Sequence, residues 1–579
     1  MRYLSIFLIH FISILSLSQR AYSQRKLSDG KHSISPLTRE YVYPTRIIWQ
    51  QGTIVKKENL LQIGTGQANL TNDQVTILKN TDTTRSSILL DFGKERNGAL
   101  EIITGMWPGG NDPRNIRVRF GESVSEAMSS IGEKGAANDH ALRDFNLHLP
   151  WLGKNQTGES GFRFVRIDFL DADAELYLRE VRMISTYRDI PYLGTFKCSD
   201  ERLNQIWNVG AYTVHLNMQD YLWDAIKRDR LVWVGDLHPE VATINTVFGY
   251  NEVVPKSLDL ARESTPLPGW MCGISTYSMW WIVLHYDWYM AHGDKVYLEQ
   301  QKPYLRGLVR QIVGKVKKGE EQMDGTRFLD WPSSEDSIAI HAGIQAMTIL
   351  SLEKAAWISN LLNDKETQQL CLATVREMRK SVPQHNNSKQ AAALLAITGL
   401  MDENEAYEDV LKIGGAKKFS TFYGYYMLEA MAKAGKYQEA MDIISTYWGA
   451  MLDLGATTFW EDFNLDWMEN ASRIDELVPV GKVDIHGDFG AYCYKGHRHS
   501  FAHGWASGPT SWLSAHILGI QVVEAGGKAY TVKPHLGKLT FAEGTFPTKY
   551  GMIYVKHTKD SSGRILSQIK APKEIMIIK

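Results

Sequence analysis

Cysteine is scarce in this chain: four residues in 579, Cys198, Cys272, Cys371 and Cys493. They stand too far apart for a zinc knuckle and are too few for a disulfide framework, although one or two disulfides stay open in an oxidising compartment. Charge of one sign is missing as well. The 64 Lys and Arg against 65 Asp and Glu leave a formal net charge of −1, which gives no electrostatic footprint for nucleic acid or an anionic membrane and suits an uncharged partner. After the first residues no stretch approaches the roughly 20 apolar residues of a spanning helix, so no membrane span is expected. No glycine-rich loop joins a strand to a helix and no Gly-x-Ser-x-Gly elbow occurs, which removes nucleotide chemistry and serine hydrolysis. The glycines of Pro108-Gly-Gly-Asn-Asp-Pro113 read as a turn. No low-complexity tract or long linker interrupts the chain, and no cofactor is expected.

At the start, Met1-Arg2, an apolar core from Leu4 to Leu17 broken by His10, and Ala21-Tyr-Ser23 before Gln24 have the order of an export signal. No cysteine follows that core to carry a lipid, so a periplasmic or extracellular protein is expected. About 555 residues then remain, enough for two to four domains.

Aromatic residues are plentiful, with 17 Trp, 26 Tyr and 19 Phe. Most tryptophans in a large protein serve its core, but many here adjoin acidic or glycine residues, the composition of sugar platforms. Two stretches carry the chemistry: Asp224-Ala-Ile-Lys-Arg-Asp229-Arg-Leu-Val-Trp-Val-Gly-Asp236 and Ala456-Thr-Thr-Phe-Trp-Glu461-Asp462. Glycosidic-bond hydrolysis asks for such sets: one carboxyl to protonate the leaving oxygen, another to activate water, and flat apolar walls for the sugar. The plain alternative for the first run is a solvated ion-pair face. Leu231, Val232 and Trp233 argue for burial instead, and charges are seldom buried without a partner or a function.

Three textures divide the chain. From Tyr41 to Leu193, short runs such as Ser87-Ile-Leu-Leu-Asp-Phe and Phe162-Arg-Phe-Val-Arg-Ile alternate with period two between turn residues, predicting a β-sandwich over 24–195, with Gly121 to Trp151 as a long loop region. From Ser199 a polar cap opens the first of a series of amphipathic helices, Thr276–His292, Tyr304–Lys317, Ile338–Leu362, Glu366–Val382, Lys389–Ile397, Phe422–Ala434, Tyr437–Leu454 and Ser507–Leu518 among them. Helical hairpins on short loops predict an α/α toroid over 196–520. Residues 521–579 alternate again and predict a small C-terminal β domain.

In these motifs the chain resembles the bacterial α-L-rhamnosidases of glycoside hydrolase family 78, in a divergent form. Lys227-Arg-Asp-Arg-Leu-Val-Trp-Val-Gly-Asp236 resembles that family's R-E/D-R-L-G-W-T-G-D run and Ala456–Glu461 its T-T-x-W-E. Asp91-Phe-Gly-Lys, Arg498-His-Ser-Phe-Ala-His503-Gly and Ile517-Leu-Gly-Ile are similar to further family segments. The resemblance runs from about residue 41 to the end. It implies a six-hairpin glycosidase that removes terminal α-linked L-rhamnose with inversion, with Asp229 as general acid where the family usually has Glu, and Glu461 as the base. It further implies that Asp224 and Asp236 hold sugar hydroxyls and raise the pKa of Asp229 by repulsion while the base stays ionised. Trp233, Trp331 and Trp460 would line the pocket, His503 would lie near the reacting water, and Arg228 with Arg230 would suit a uronic acid in the adjoining subsite.

The pattern departs from the family in three places. Asp229 is one methylene shorter than Glu, Val232 replaces Gly, and Gly273-Ile-Ser-Thr-Tyr-Ser-Met-Trp280 lacks the acidic residues of the corresponding family stretch. Asp330-Trp331 and Glu335-Asp336 are candidates to compensate, with helix capping as the equally good reading of the second pair. The histidines of His486-Gly-Asp488 and His497-Arg-His499 fall short of a complete metal-ligand set, and none is expected. Other six-hairpin activities, on a uronic acid or another deoxysugar, and a sugar-binding protein that has lost its acid stay open alternatives.

Overall fold

The computed structural model describes residues 34–492 and 494–578; the expected export signal and Cys493 lie outside them. The N-terminal part is a sandwich built on the 18-residue strand Ser87–Thr104. That strand changes partners along its length: Ser87 to Asp91 pairs with Arg46–Gln51 and Ser160–Phe169, and Gly98 to Thr104 pairs with Glu175–Tyr187. The switch follows a register break between Asp91 and Arg96, as β-bulges re-aim strands at sandwich corners. Ile88, Leu90, Phe92, Leu100, Val165, Ile167, Val181 and Met183 fill the interior, which is the period-two pattern of the sequence made physical.

Residues 121–151 are more ordered than a long loop. They hold helix α1 (Val124–Met128) and a strand, Asp144–Leu149, paired with Arg114–Gly121. The Ser123 side chain accepts from the Glu126 N–H, and Glu126 accepts from the Glu122 N–H. Ser-x-x-Glu is a capping signature that makes even this short helix worth forming.

Twelve α-helices among the described residues follow: α2 (Glu201–Asn217), α3 (Leu237–Val247), α4 (Val253–Glu263), α5 (Ser275–His292), α6 (Lys295–Gly314), α7 (Ser337–Leu361), α8 (Lys365–Met378), α9 (Lys389–Thr398), α10 (Glu403–Ala406), α11 (Gly424–Lys433), α12 (Tyr437–Asp453) and α13 (Gly508–Trp512). Alternate members, α3, α5, α7, α9, α11 and α13, pack each against the next and close into an inner ring. The others form the outer layer, so the helices make six hairpins. The inner ring explains the apolar content of α5 and α7, which bury side chains around most of their circumference.

Strand Thr195–Cys198, ahead of the toroid, pairs with Phe541–Thr548 beyond it, and Gly551–Lys559 and Ile565–Lys570 complete that sheet. A smaller sheet of Ile520–Glu524, Ala529–Val532 and Met576–Ile578 lies beside it. The architecture is a central (α/α)6 toroid flanked by an N-terminal β-sandwich and a small C-terminal β domain. No helix among the described residues is long and apolar enough to cross a membrane.

Candidate active site

The N-terminal ends of the inner helices all point to one mouth of the toroid. Asp236 precedes α3, Ile274 precedes α5, Trp331 lies before α7, and His503 comes just before α13. At this mouth is a pocket of about 300 Å³ lined by Asp224, Asp229, Asp236, Glu461 and His503, with walls of Trp233, Tyr277, Phe328, Trp331, Tyr494 and Trp505. Two larger hollows, of about 440 and 520 Å³, open among later turns of the inner helices. Their carboxylates are already paired, Asp287 with His238 at 3.0 Å and Glu429 with His516 at 3.2 Å. Four acids gathered against aromatic walls belong to the smaller pocket.

The loop from 224 to 236 is folded around its own first carboxylate. Asp224 accepts from the backbone N–H groups of Asp229, at 2.8 Å, and Leu231, at 2.9 Å. These bonds fix the turn that carries Asp229 to the wall. Asp229 receives the Arg228 guanidinium at 2.7 Å on one oxygen and the Trp233 indole N–H at 3.1 Å on the other. Arg228 also donates to the carbonyl of Arg498 and lies over the Tyr494 ring. Arg230 turns away, to the Glu159 carbonyl and the face of Trp223. Neither supplies a free cation for a uronic acid, which corrects that expectation.

Glu461 is 4 % exposed. It is held by exchange with Ser500, whose carbonyl accepts its N–H at 3.0 Å and whose N–H reaches its carboxylate at 3.2 Å. Its own carbonyl takes the Trp505 indole at 2.8 Å. The His503 Nε2 lies 3.7, 3.8 and 3.9 Å from Glu461, Asp236 and Asp224, at the centre of the acids. The Tyr277 hydroxyl donates to Asp236 at 2.6 Å, so the segment after Cys272 contributes a phenol to the site.

Burial dominates the electrostatics. It pushes Asp224 up to about 7 and Glu461 up to about 8, the latter against the pull of Arg228, and it raises Asp236 and Glu240 well above the usual carboxylate range. His503 is driven well below the usual histidine range by burial, with Arg228 and His499 adding to the effect. Burial thus works against the ionised base that the resemblance implies, because a charge there has little water to solvate it.

Trp460, expected in the wall, and Glu335, expected in a substrate subsite, are elsewhere. Trp460 is 1 % exposed and stacks on Phe501 at 4.1 Å, behind Glu461. Glu335 is solvent-exposed and outside the lining, while Asp336 next to it caps α7 by accepting from the Ala339 N–H. Asp330 is buried under the loop, bound to Gln390 and Ser420. The three described cysteines are free. Glu122, Glu126 and His486 have ligand atoms within 4.8 Å of one another, but the Lys227 ammonium reaches both carboxylates, at 2.9 and 3.4 Å. His499 accepts from the Asp462 N–H and His497 bonds Ser129.

The model of the bacterial alpha-L-rhamnosidase 6 hairpin glycosidase domain matches residues 191–517. An alpha-L-rhamnosidase of Alteromonas sp. (strain LOR) is 23% identical over 546 residues, 85% of this chain and 55% of that protein. The chain thus spans about half the length of the curated relatives it matches. Among solved structures, the family 78 rhamnosidase of Bacillus sp. GL1 superposes with a TM-score of 0.73 at 20% identity, covering 90% of this chain and 55% of that one. The rhamnosidase from Klebsiella oxytoca with rhamnose bound gives 0.65 at 19%, covering 83% of this chain and 96% of its own. At these identities the likeness to the solved structures is one of fold.

Proposed function

The chain belongs to the bacterial alpha-L-rhamnosidase six-hairpin glycosidase family, and on that premise we propose an exported, inverting glycoside hydrolase that removes terminal α-L-rhamnosyl residues from a polysaccharide or glycoconjugate. The observation that carries the reading is the convergence of Asp229 and Glu461 on one aromatic-walled pocket. Its volume, about 300 Å³, lies at the small end for ligand pockets and suits a single sugar ring. Ile274, Phe328 and the tryptophans offer apolar surface to the C–H faces and methyl of a deoxysugar, while Asp224, Asp236 and His503 face its hydroxyls. With Arg228 and Arg230 engaged elsewhere, a neutral sugar fits better than a uronic acid.

In this reading Asp229 protonates the glycosidic oxygen as the C–O bond breaks. Glu461, once ionised, takes a proton from the water that attacks the anomeric carbon from the opposite face. Asp224 and Asp236 hold the hydroxyls and Trp233 and Trp331 the ring. Residues 1–23 are a cleaved export signal in this reading, and the domains are taken as 24–195, 196–520 and 521–579.

The raised Glu461 favours a second reading with the carboxyl roles exchanged, Glu461 donating the proton and Asp229, met by the Arg228 and Trp233 donors, receiving it from water. Hydrolysis of rhamnosyl, fucosyl and glucuronyl aryl glycosides tests the substrate, and NMR of the first-formed anomer tests inversion. Roles follow from the variants. Removal of the acid spares substrates with acidic leaving phenols, and removal of the base is rescued by azide.

A further inference from the structure

His140 reaches the proposed acid from another domain. Its Nε2 lies 3.2 Å from the Asp229 carboxylate, and it stands on the loop between α1 and strand Asp144–Leu149 of the sandwich. The loop is built to hold it there. The Asn138 side chain closes it, accepting from the N–H groups of Arg143 and Asp144 and donating to the Asp144 carbonyl. Asp139 clamps it to the toroid through Arg498 at 2.8 Å. His140 itself has φ +64°, a left-handed backbone that side chains adopt at a cost and that histidine tolerates better than most.

The Asp229 side chain is 11 % exposed and that of His140 31 %, so the imidazole is the more open to solvent of the two. An inverting acid ends each turnover as a carboxylate and must regain a proton before the next. Asp229 lacks open access to water and is shorter than the Glu of its relatives. A proton-carrying group on its outer side meets both conditions.

We propose that His140 acts through Asp229 as its proton relay, so that the donor of this enzyme is a two-residue unit shared between the sandwich and the toroid. The inference rests on Asp229 being the acid. Asp229 passes its proton to the departing oxygen, the alcohol leaves, and the Asp229 carboxylate takes the Nε2 proton of the imidazolium. The neutral ring then takes a proton from solvent. The groups facing His140 are Asp139, 3.9 Å away, and Asp229, with Arg498 and Arg228 behind them.

The test compares two leaving groups on the full-length protein. His140→Gln is expected to lower kcat by roughly 10- to 100-fold on an alkyl α-L-rhamnoside, which needs full protonic assistance, and to change it less than about 2-fold on the 4-nitrophenyl glycoside. Added imidazole restores His140→Ala on the alkyl substrate. In Asp229→Asn, the further change His140→Gln has no added effect. Equal losses on both substrates without imidazole rescue would make His140 a structural brace and overturn the relay, as would no loss on either. If 4-nitrophenyl rhamnoside is inert and another nitrophenyl glycoside is hydrolysed, the substrate reading falls, and the same comparison on that sugar still decides the role of His140.

Discussion

The Lys227 ammonium lies 2.9 Å from the Glu122 carboxylate, bridging the toroid and the N-terminal sandwich in a place closed to water. It also donates to the carbonyls of His497 and His499, and Glu122 accepts in addition from the Phe501 N–H at 2.7 Å. Lys227 stands two residues before Asp229, and Glu461 is tied to Ser500 in the same segment that Lys227 grips. One buried ion pair thus sets where both proposed catalytic carboxyls stand relative to each other.

Lys227→Met leaves Glu122 buried without its cation, and removal of one partner of such a pair costs about 3–5 kcal/mol. Denaturant unfolding should show a loss of that order. The double variant Lys227→Met/Glu122→Gln should recover part of it, because the uncompensated charge is gone. Activity should stay low in both, since the loop that carries Asp229 has lost its anchor.

Asp229→Asn and Glu461→Gln keep side-chain size and remove the proton chemistry. Each should lower kcat by roughly 10²- to 10⁴-fold on a rhamnoside with a poor leaving group while rhamnose still binds by calorimetry. A loss of binding equal to the loss of turnover would move these residues from chemistry to substrate holding.

Glu461 links activity to fold stability. Its carboxyl is raised from 4.5 to about 8 by burial, so the folded state holds a proton that the unfolded chain releases above about 4.5. Stability from this group is fully present below that value and is lost as pH rises towards 8. The empty protein should therefore melt at lower temperature at pH 8 than at pH 5.5. Glu461→Gln, a neutral copy of the protonated form, should flatten that dependence and be the more stable protein at pH 8 and above, by on the order of a few kcal/mol.

Much of this is legible in the sequence because periodicity and local motif spacing survive folding. The long inner helices α5 and α7 begin within a residue of their predicted starts, where the apolar pattern sets in and, for α7, Asp336 supplies a polar cap. Helices α3 and α4 lie outside the predicted set, since neighbours on both sides bury much of α3 and weaken its amphipathic signal. The run from Asp224 to Asp236 names the loop that delivers an acid to the pocket. Trp460 departs from its expected place because adjacency to Glu461 does not mean shared direction: successive side chains of extended backbone face opposite ways. Tyr277, Trp505 and His140 reach the site from segments with no acidic–aromatic spacing. His140, on a loop expected to be irregular, comes from a different domain; only long-range packing places it.

Tyr277→Phe removes the hydroxyl that meets Asp236 at 2.6 Å and leaves the ring in the wall. A hydrogen bond to a charged or charge-sharing group is worth about 1.5–3 kcal/mol, so kcat/KM on 4-nitrophenyl rhamnoside should fall by roughly 10- to 100-fold. The loss should come mainly in KM if Asp236 serves to hold a hydroxyl.

The pH dependence of kcat/KM reports the free enzyme and separates the two assignments of acid and base. If Glu461 is the base, only its ionised form is competent, so kcat/KM should climb with pH through neutrality, reach half its limit near 8, where the carboxyl loses its proton, and level off above that. If Glu461 is instead the acid, its protonated form is the competent one, and the same titration should appear as a fall in kcat/KM above about 8. Glu461→Gln abolishes the limb in either case, and Asp229→Asn leaves it in place at reduced amplitude. The direction of that limb on 4-nitrophenyl rhamnoside, read together with azide rescue of the base variant, assigns the two carboxyls without a bound ligand.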